Sequence, residues 1–88
     1  MKVFFEASFS RDLKNIKAKA LLKRVEQTIT EVKAATALNE IKNLSKMRGY
    51  PTFFRIRVGD YRIGLEVLEE EVIFVRVLHR KDIYRYFP

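Results

Sequence analysis

The chain has 88 residues, 18 Lys plus Arg against 11 Asp plus Glu for a formal net charge of +7, 48% hydrophobic residues and no cysteine. That length accommodates one domain over residues 1–88, and a chain this size buries only about 60–65% of its unfolded surface. The missing cysteines exclude a disulfide framework, a thiolate zinc site and a thiol nucleophile, and the lone His79 cannot assemble a metal site with scattered carboxylates, so no cofactor is expected.

No apolar stretch is long enough to span a membrane, and Glu6 interrupts the N-terminal segment before a signal-like core can form, so the expected setting is cytoplasmic with no membrane partner. The basic balance favours an anionic partner, such as nucleic acid or an acidic protein segment.

In chain order, Lys2 to Ala7 is short, aromatic and β-branched, which predicts an opening strand. Ser8 and Ser10 offer N-cap oxygens for a helix carrying Phe9, Leu13 and Ile16 on one side. After a break near Lys17 to Lys19, Leu21, Leu22, Val25, Ile29 and Val32 continue a helical stripe, predicting a two-helix hairpin whose apolar side is core. Ala34 to Tyr50 reads as a linker with one short helical turn.

Beyond Pro51 the apolar period shifts from 3.6 to 2. Phe53 to Val58 and Tyr61 to Leu68 flank Gly59-Asp60, a two-residue hairpin signal in which glycine at the first turn position suits type II′. Val72 to Leu78 supplies a third strand, apolar at nearly every position. His79 to Pro88 forms a polar and aromatic tail. The expected fold is therefore α+β: an N-terminal strand, a two-helix hairpin, then an antiparallel three-stranded meander forming one sheet with the helices on one face.

Charge divides unevenly along the chain. Residues 1–48 carry 11 basic side chains, eight of them Lys, whereas residues 49–88 carry seven, six of them Arg. Arginine grips phosphate bidentately and keeps its charge when half buried, so an arginine-rich sheet suggests an anion site; equally, arginines on strands can simply reach out to water. The turn at Gly59-Asp60 places Arg57 opposite Arg62 and gathers Arg55, Arg57 and Arg62 on one face. A three-residue loop at Glu69 to Glu71 would add Arg76 and Arg80 to that face, with Val72, Phe74 and Leu78 as an apolar strip, and send Ile73, Val75 and Val77 to the core. A two-residue loop would put His79 there instead. The first register is the expectation.

The block Arg55-Ile56-Arg57-Val58-Gly59-Asp60-Tyr61-Arg62, with Gly49-Tyr50-Pro51 before it and His79-Arg80-Lys81-Asp82-Ile83-Tyr84 after it, resembles the RelE/ParE superfamily of toxins from type II toxin-antitoxin systems, over essentially the whole chain. The resemblance implies the RelE-like fold and, on the RelE branch, a metal-independent endoribonuclease that cuts mRNA in the ribosomal A site by attack of the ribose 2′-OH on the adjacent phosphate. It also implies a RelB-like antitoxin partner and a toxin-antitoxin hetero-oligomer. ParE-type members share the fold, lack the nuclease residues and poison DNA gyrase, which is the competing expectation.

Carried over residue by residue, the RelE pattern falls on Arg62, Arg80 and Tyr84, which match the family's residue types, and on Arg55 and Arg57, which replace lysines of the best-known members. Arginine stabilises developing phosphorane charge but does not trade protons, so acid-base duty would pass to Tyr84 or His79. Arg76 and Lys81 join Arg55 and Arg57 as expected phosphate contacts.

Overall fold

The computed structural model describes Met1–Pro88. Strand β1 (Lys2–Phe5) leads into helices α1 (Ala7–Lys14) and α2 (Lys19–Ala34); a 3₁₀ turn at Leu38–Glu40 and strand β2 (Leu44–Lys46) follow. The meander is β3 (Phe53–Val58), β4 (Tyr61–Leu68) and β5 (Glu71–His79), and the chain closes with the short helix α3 (Ile83–Tyr86). All strands join one sheet in the order β1-β5-β4-β3-β2. β1 runs parallel to β5 and every other pairing is antiparallel.

The two helices cover one face of the sheet. Phe9 of α1 and Val25 and Val32 of α2 are fully enclosed against Ile63, Leu65, Val72 and Phe74, and Leu13, Leu21, Leu22 and Ile29 pack around them partly buried. Burying each large side chain contributes about 1.5–3 kcal/mol, so this layer holds most of the fold's apolar stabilisation. Phe5, Phe9 and Phe74 meet with ring centroids 5.2–5.8 Å apart, tying β1, α1 and β5 together.

Several local expectations change. α1 starts at Ala7 with Glu6 in the cap position, so neither serine caps it; the Ser8 hydroxyl instead donates to the carbonyl of Val75 at 2.6 Å. The linker contains the strand β2, unannounced because Leu-Ser-Lys is too short to display a period; Asn43, at φ +63°, turns the chain into it. Gly59 takes φ +60° while Asp60 stays at negative φ, the arrangement of a type II′ turn, and Arg57 does pair with Arg62.

The β4–β5 connection departs from the expected register. Leu68 pairs with Glu71 across a two-residue turn, with Glu69 at φ +57°, so Val72 and Phe74 point into the helix-covered core rather than to the arginine face. A bulge then changes the phase: Leu65 pairs with Phe74 but Gly64 pairs with Arg76, leaving Val75 as the extra residue. Beyond it Val77 is core and Leu78 stands beside Arg62, as the three-residue loop would have had them.

The bulge lies where β1 runs out. β1 pairs with β5 only as far as Phe74, and α1 takes over that edge: the Glu6 N–H donates to the Phe74 carbonyl at 2.9 Å and the Asp12 carboxylate accepts the Val77 N–H at 3.1 Å. Asp12, nearly enclosed, also accepts from Arg76 Nε at 2.7 Å and Nη2 at 3.1 Å.

Candidate functional site

The opposite face of the sheet is laid out in rows by strand pairing. At the hairpin end, Arg57 of β3, Arg62 of β4 and Leu78 of β5 stand side by side; the next row is Ser45, Arg55, Gly64 and Arg76. Opposed like charges cost a hairpin a few tenths to about 1 kcal/mol, a loss that a bound anion would reverse. Arg62 is anchored by Nη1, which donates to the carbonyls of Gly59 and Tyr61 at 2.9 Å each, leaving further N–H donors for a ligand. Arg80 is exposed, and its backbone N–H donates to the Asp60 carbonyl at 2.7 Å, fastening the start of the tail to the same hairpin tip.

The tail then folds back across this face. Ile83 and Phe87 are buried with Met47 in a second, smaller cluster supported by Phe53, Val75 and Leu78. Gly64 makes this docking possible, because a Cβ there would come within 2.7 Å of the Phe87 ring. Docking leaves Tyr84 59% exposed, with the Arg55 guanidinium 5.8 Å from its ring centroid. Tyr86 lies at the same distance from the Arg76 guanidinium.

Arg76 and His79 stand differently from the rest. Hydrogen bonding to Asp12 holds the Arg76 guanidinium above its ordinary pKa, burial opposes this more weakly, and the charge is already matched by a carboxylate. His79 pairs with Tyr61, edge to ring at 5.6 Å, on the side facing α1, and its Nδ1 accepts the Lys81 N–H at 3.1 Å. With Nδ1 occupied as an acceptor, the neutral ring carries its proton on Nε2. Thus Arg55, Arg57, Arg62 and Tyr84 share one face with Arg80 at its rim, Lys81 is exposed on the tail, and His79 is turned from the group.

Two residues whose side chains had no role in the sequence pattern, Arg48 and Tyr50, belong beside this face. A cavity of about 390 Å³ opens between the turn after β2 and the tail, lined by Met47, Arg48, Tyr50, Arg55, Tyr84 and Phe87. Tyr50 was signalled only by its place in Gly49-Tyr50-Pro51, and Arg48 by nothing. The largest cavity, about 700 Å³, lies at the far end of the sheet among Glu69, Glu70 and Glu71, where the charge repels a polyanion.

The family model for the ParE toxin of the type II toxin-antitoxin system, parDE, matches residues 3–84, and the chain belongs to this RelE/ParE superfamily of toxins. Within the superfamily it is similar to proteins of the RelE type. Toxin RelE3 of Methanocaldococcus jannaschii is 47% identical over 89 residues, covering 100% of both chains. A chain of the RelB-RelE antitoxin-toxin complex from Methanococcus jannaschii is 44% identical, with a TM-score of 0.81 over 97% of this chain and 99% of that one. The RelE-RelB complex of Pyrococcus horikoshii OT3, 19% identical with a TM-score of 0.72 over 90% and 93% of the two chains, shares the fold.

Proposed function

We propose that this RelE-type toxin is a ribosome-dependent mRNA endoribonuclease, and that the arginine face with its docked Tyr84 is the cleavage site. The observation that carries the reading is the placement of Arg57 against Arg62, one row from Arg55 and Tyr84, with Arg80 at the rim. Guanidinium groups so gathered suit a phosphate whose charge grows as a fifth oxygen approaches phosphorus.

In this mechanism the ribose 2′-oxygen attacks the adjacent phosphorus as its proton passes to the Tyr84 hydroxyl oxygen, which releases its own proton toward the 5′-oxygen as the bond from phosphorus to that oxygen breaks, leaving a 2′,3′-cyclic phosphate. Arg62 and Arg80 hold the scissile phosphate, while Arg55, Arg57 and Lys81 bind flanking backbone. Tyr84 is the better proton partner because His79 faces α1. Arg76, already neutralised by Asp12, acts by seating Tyr86 and the tail rather than by gripping RNA. So exposed a site relies on the ribosome to align the 2′-OH with the phosphate, which makes naked RNA a poor substrate.

The partner that restrains this activity is a RelB-type antitoxin, as in the complexes of the relatives; an acidic or amphipathic segment laid over the arginine face would block it. The experiment is induced expression with primer extension on a translated reporter, beside a DNA-gyrase cleavage assay. Wild type is expected to leave cuts in translated mRNA, reduced roughly 10²- to 10³-fold by Arg80→Ala. Growth arrest with intact mRNA and trapped gyrase would instead support the ParE-like reading, toward which the ParE family match leans.

A further inference from the structure

The cavity beside the arginine face has the chemistry of a stacking site. Tyr50 is 45% exposed, yet its ring is held: it meets Phe53 edge-on at 5.7 Å, Phe53 meets Phe87 at 5.4 Å, and Phe87 is buried over Gly64. The backbone is held as well, since the Tyr50 N–H donates to the Met47 carbonyl at 3.2 Å. A large aromatic ring fixed in place and left facing solvent has lost its freedom before any ligand arrives, so binding to it wastes little entropy.

Its surroundings specify the ligand. Arg48 and Arg55 line the same cavity, which has no Asp or Glu side chain in its wall, and Tyr84 offers a second exposed ring in that wall. At about 390 Å³ the space lies in the size range of small-ligand sites. Aromatic rings interleaved with guanidinium groups recognise flat, unstacked bases joined to phosphate, because every base has a π-face and every linkage a negative charge. Arg55 also belongs to the row next to Arg57 and Arg62, so the cavity adjoins the arginine face.

We infer that this cavity is a nucleobase subsite, in which Tyr50 stacks against the base of an mRNA nucleotide flanking the scissile phosphate while Arg48 holds its backbone. The subsite rests on the RNA-cleaving reading above and adds to it a positioning residue to which the resemblance assigns no role. Stacking here orients the strand, so that the 2′-oxygen lines up with the bond to be broken.

The test uses ribosomes programmed with mRNAs carrying a single abasic nucleotide at successive positions around the cut, assayed with the full chain, Tyr50→Ala and Tyr50→Phe. One abasic position is expected to lower wild-type kcat/KM by roughly 5- to 150-fold, the range of base–aromatic stacking. Tyr50→Ala should show a similar loss on intact mRNA and no further loss at that abasic position, while Tyr50→Phe stays near wild type. Unfolding curves for the three proteins separate this from instability.

Losses that multiply, or a Tyr50→Ala protein that cuts normally at every position, would overturn the subsite while leaving the nuclease reading intact. A Tyr50→Ala protein that cuts normally but escapes its antitoxin would give the cavity to the protein partner and overturn it too. If wild type cuts no programmed mRNA at all, the nuclease reading fails and the subsite falls with it.

Discussion

The two faces of the sheet are built on opposite terms. Against α1 and α2 lies a continuous core of 14 buried residues, while across the sheet only Met47, Ile83 and Phe87 are enclosed, amid arginines and exposed tyrosines. The first face stores stability and the second spends some of it on like charges held together. The contrast shows where the molecule can tolerate change: side chains facing the helices set whether it folds, and those facing the tail belong to the cleavage site proposed above.

Truncation tests this contrast most strongly. Phe74→Ala should lower unfolding free energy by about 3–5 kcal/mol, whereas Phe87→Ala, in the smaller cluster, should cost about 2–3 kcal/mol and selectively speed amide exchange over residues 83–87. Equal losses from the two in chemical denaturation would erase the distinction.

Asp12→Ala comes next, at about 2–3 kcal/mol, because it strands both the Arg76 guanidinium and the Val77 N–H. Asp12→Asn should recover part of that, since its amide oxygen still accepts from Val77. The raised pKa of Arg76 means that its share of this contact is complete below the ordinary arginine value and is lost only as pH rises through the still higher folded one. The stability of Asp12→Ala relative to wild type should therefore not converge on mild alkalinisation.

Gly64→Ala is a sharper probe of the tail. Forcing a methyl against the Phe87 ring should cost about 1–3 kcal/mol, and it should lower cleavage through displacement of Tyr84 even at temperatures where the protein remains folded. The smallest effect belongs to Glu40. Hydrogen bonds from the Thr36 hydroxyl and then its backbone N–H hold this carboxyl below its ordinary value, so it favours the fold above that value and ceases to as pH falls through the folded one. Thr36→Val should move its NMR titration part of the way back.

Much of this arrangement was legible in the residues. Alternation on both sides of Gly59-Asp60 fixed Arg57 against Arg62, because a two-residue turn leaves one register. The helix stripes identified Phe9, Val25 and Val32 for the same reason, a period with few alternatives. β5 was harder: Val72 to Val77 is apolar at every position but Arg76, so nothing in the strand itself fixes its phase. The phase is set by the turn at Glu69 and by Asp12, which meets Val77 from more than sixty residues away. Separation along the chain likewise hid the pairing of Arg76 with Asp12 and the cavity that Tyr50 shares with the tail.

The handover at the edge of β5 has a consequence for the protein as a solute. Strands end in rows of N–H and C=O groups that invite another chain, and a long open edge seeds aggregation. Here the nine-residue β5 is sealed by β1 and then by Ser8 and Asp12 of α1, so the outermost strands of the sheet are only four and three residues long, bearing Lys2 and Lys46. A basic molecule with so little exposed strand edge offers another chain few backbone groups to pair with.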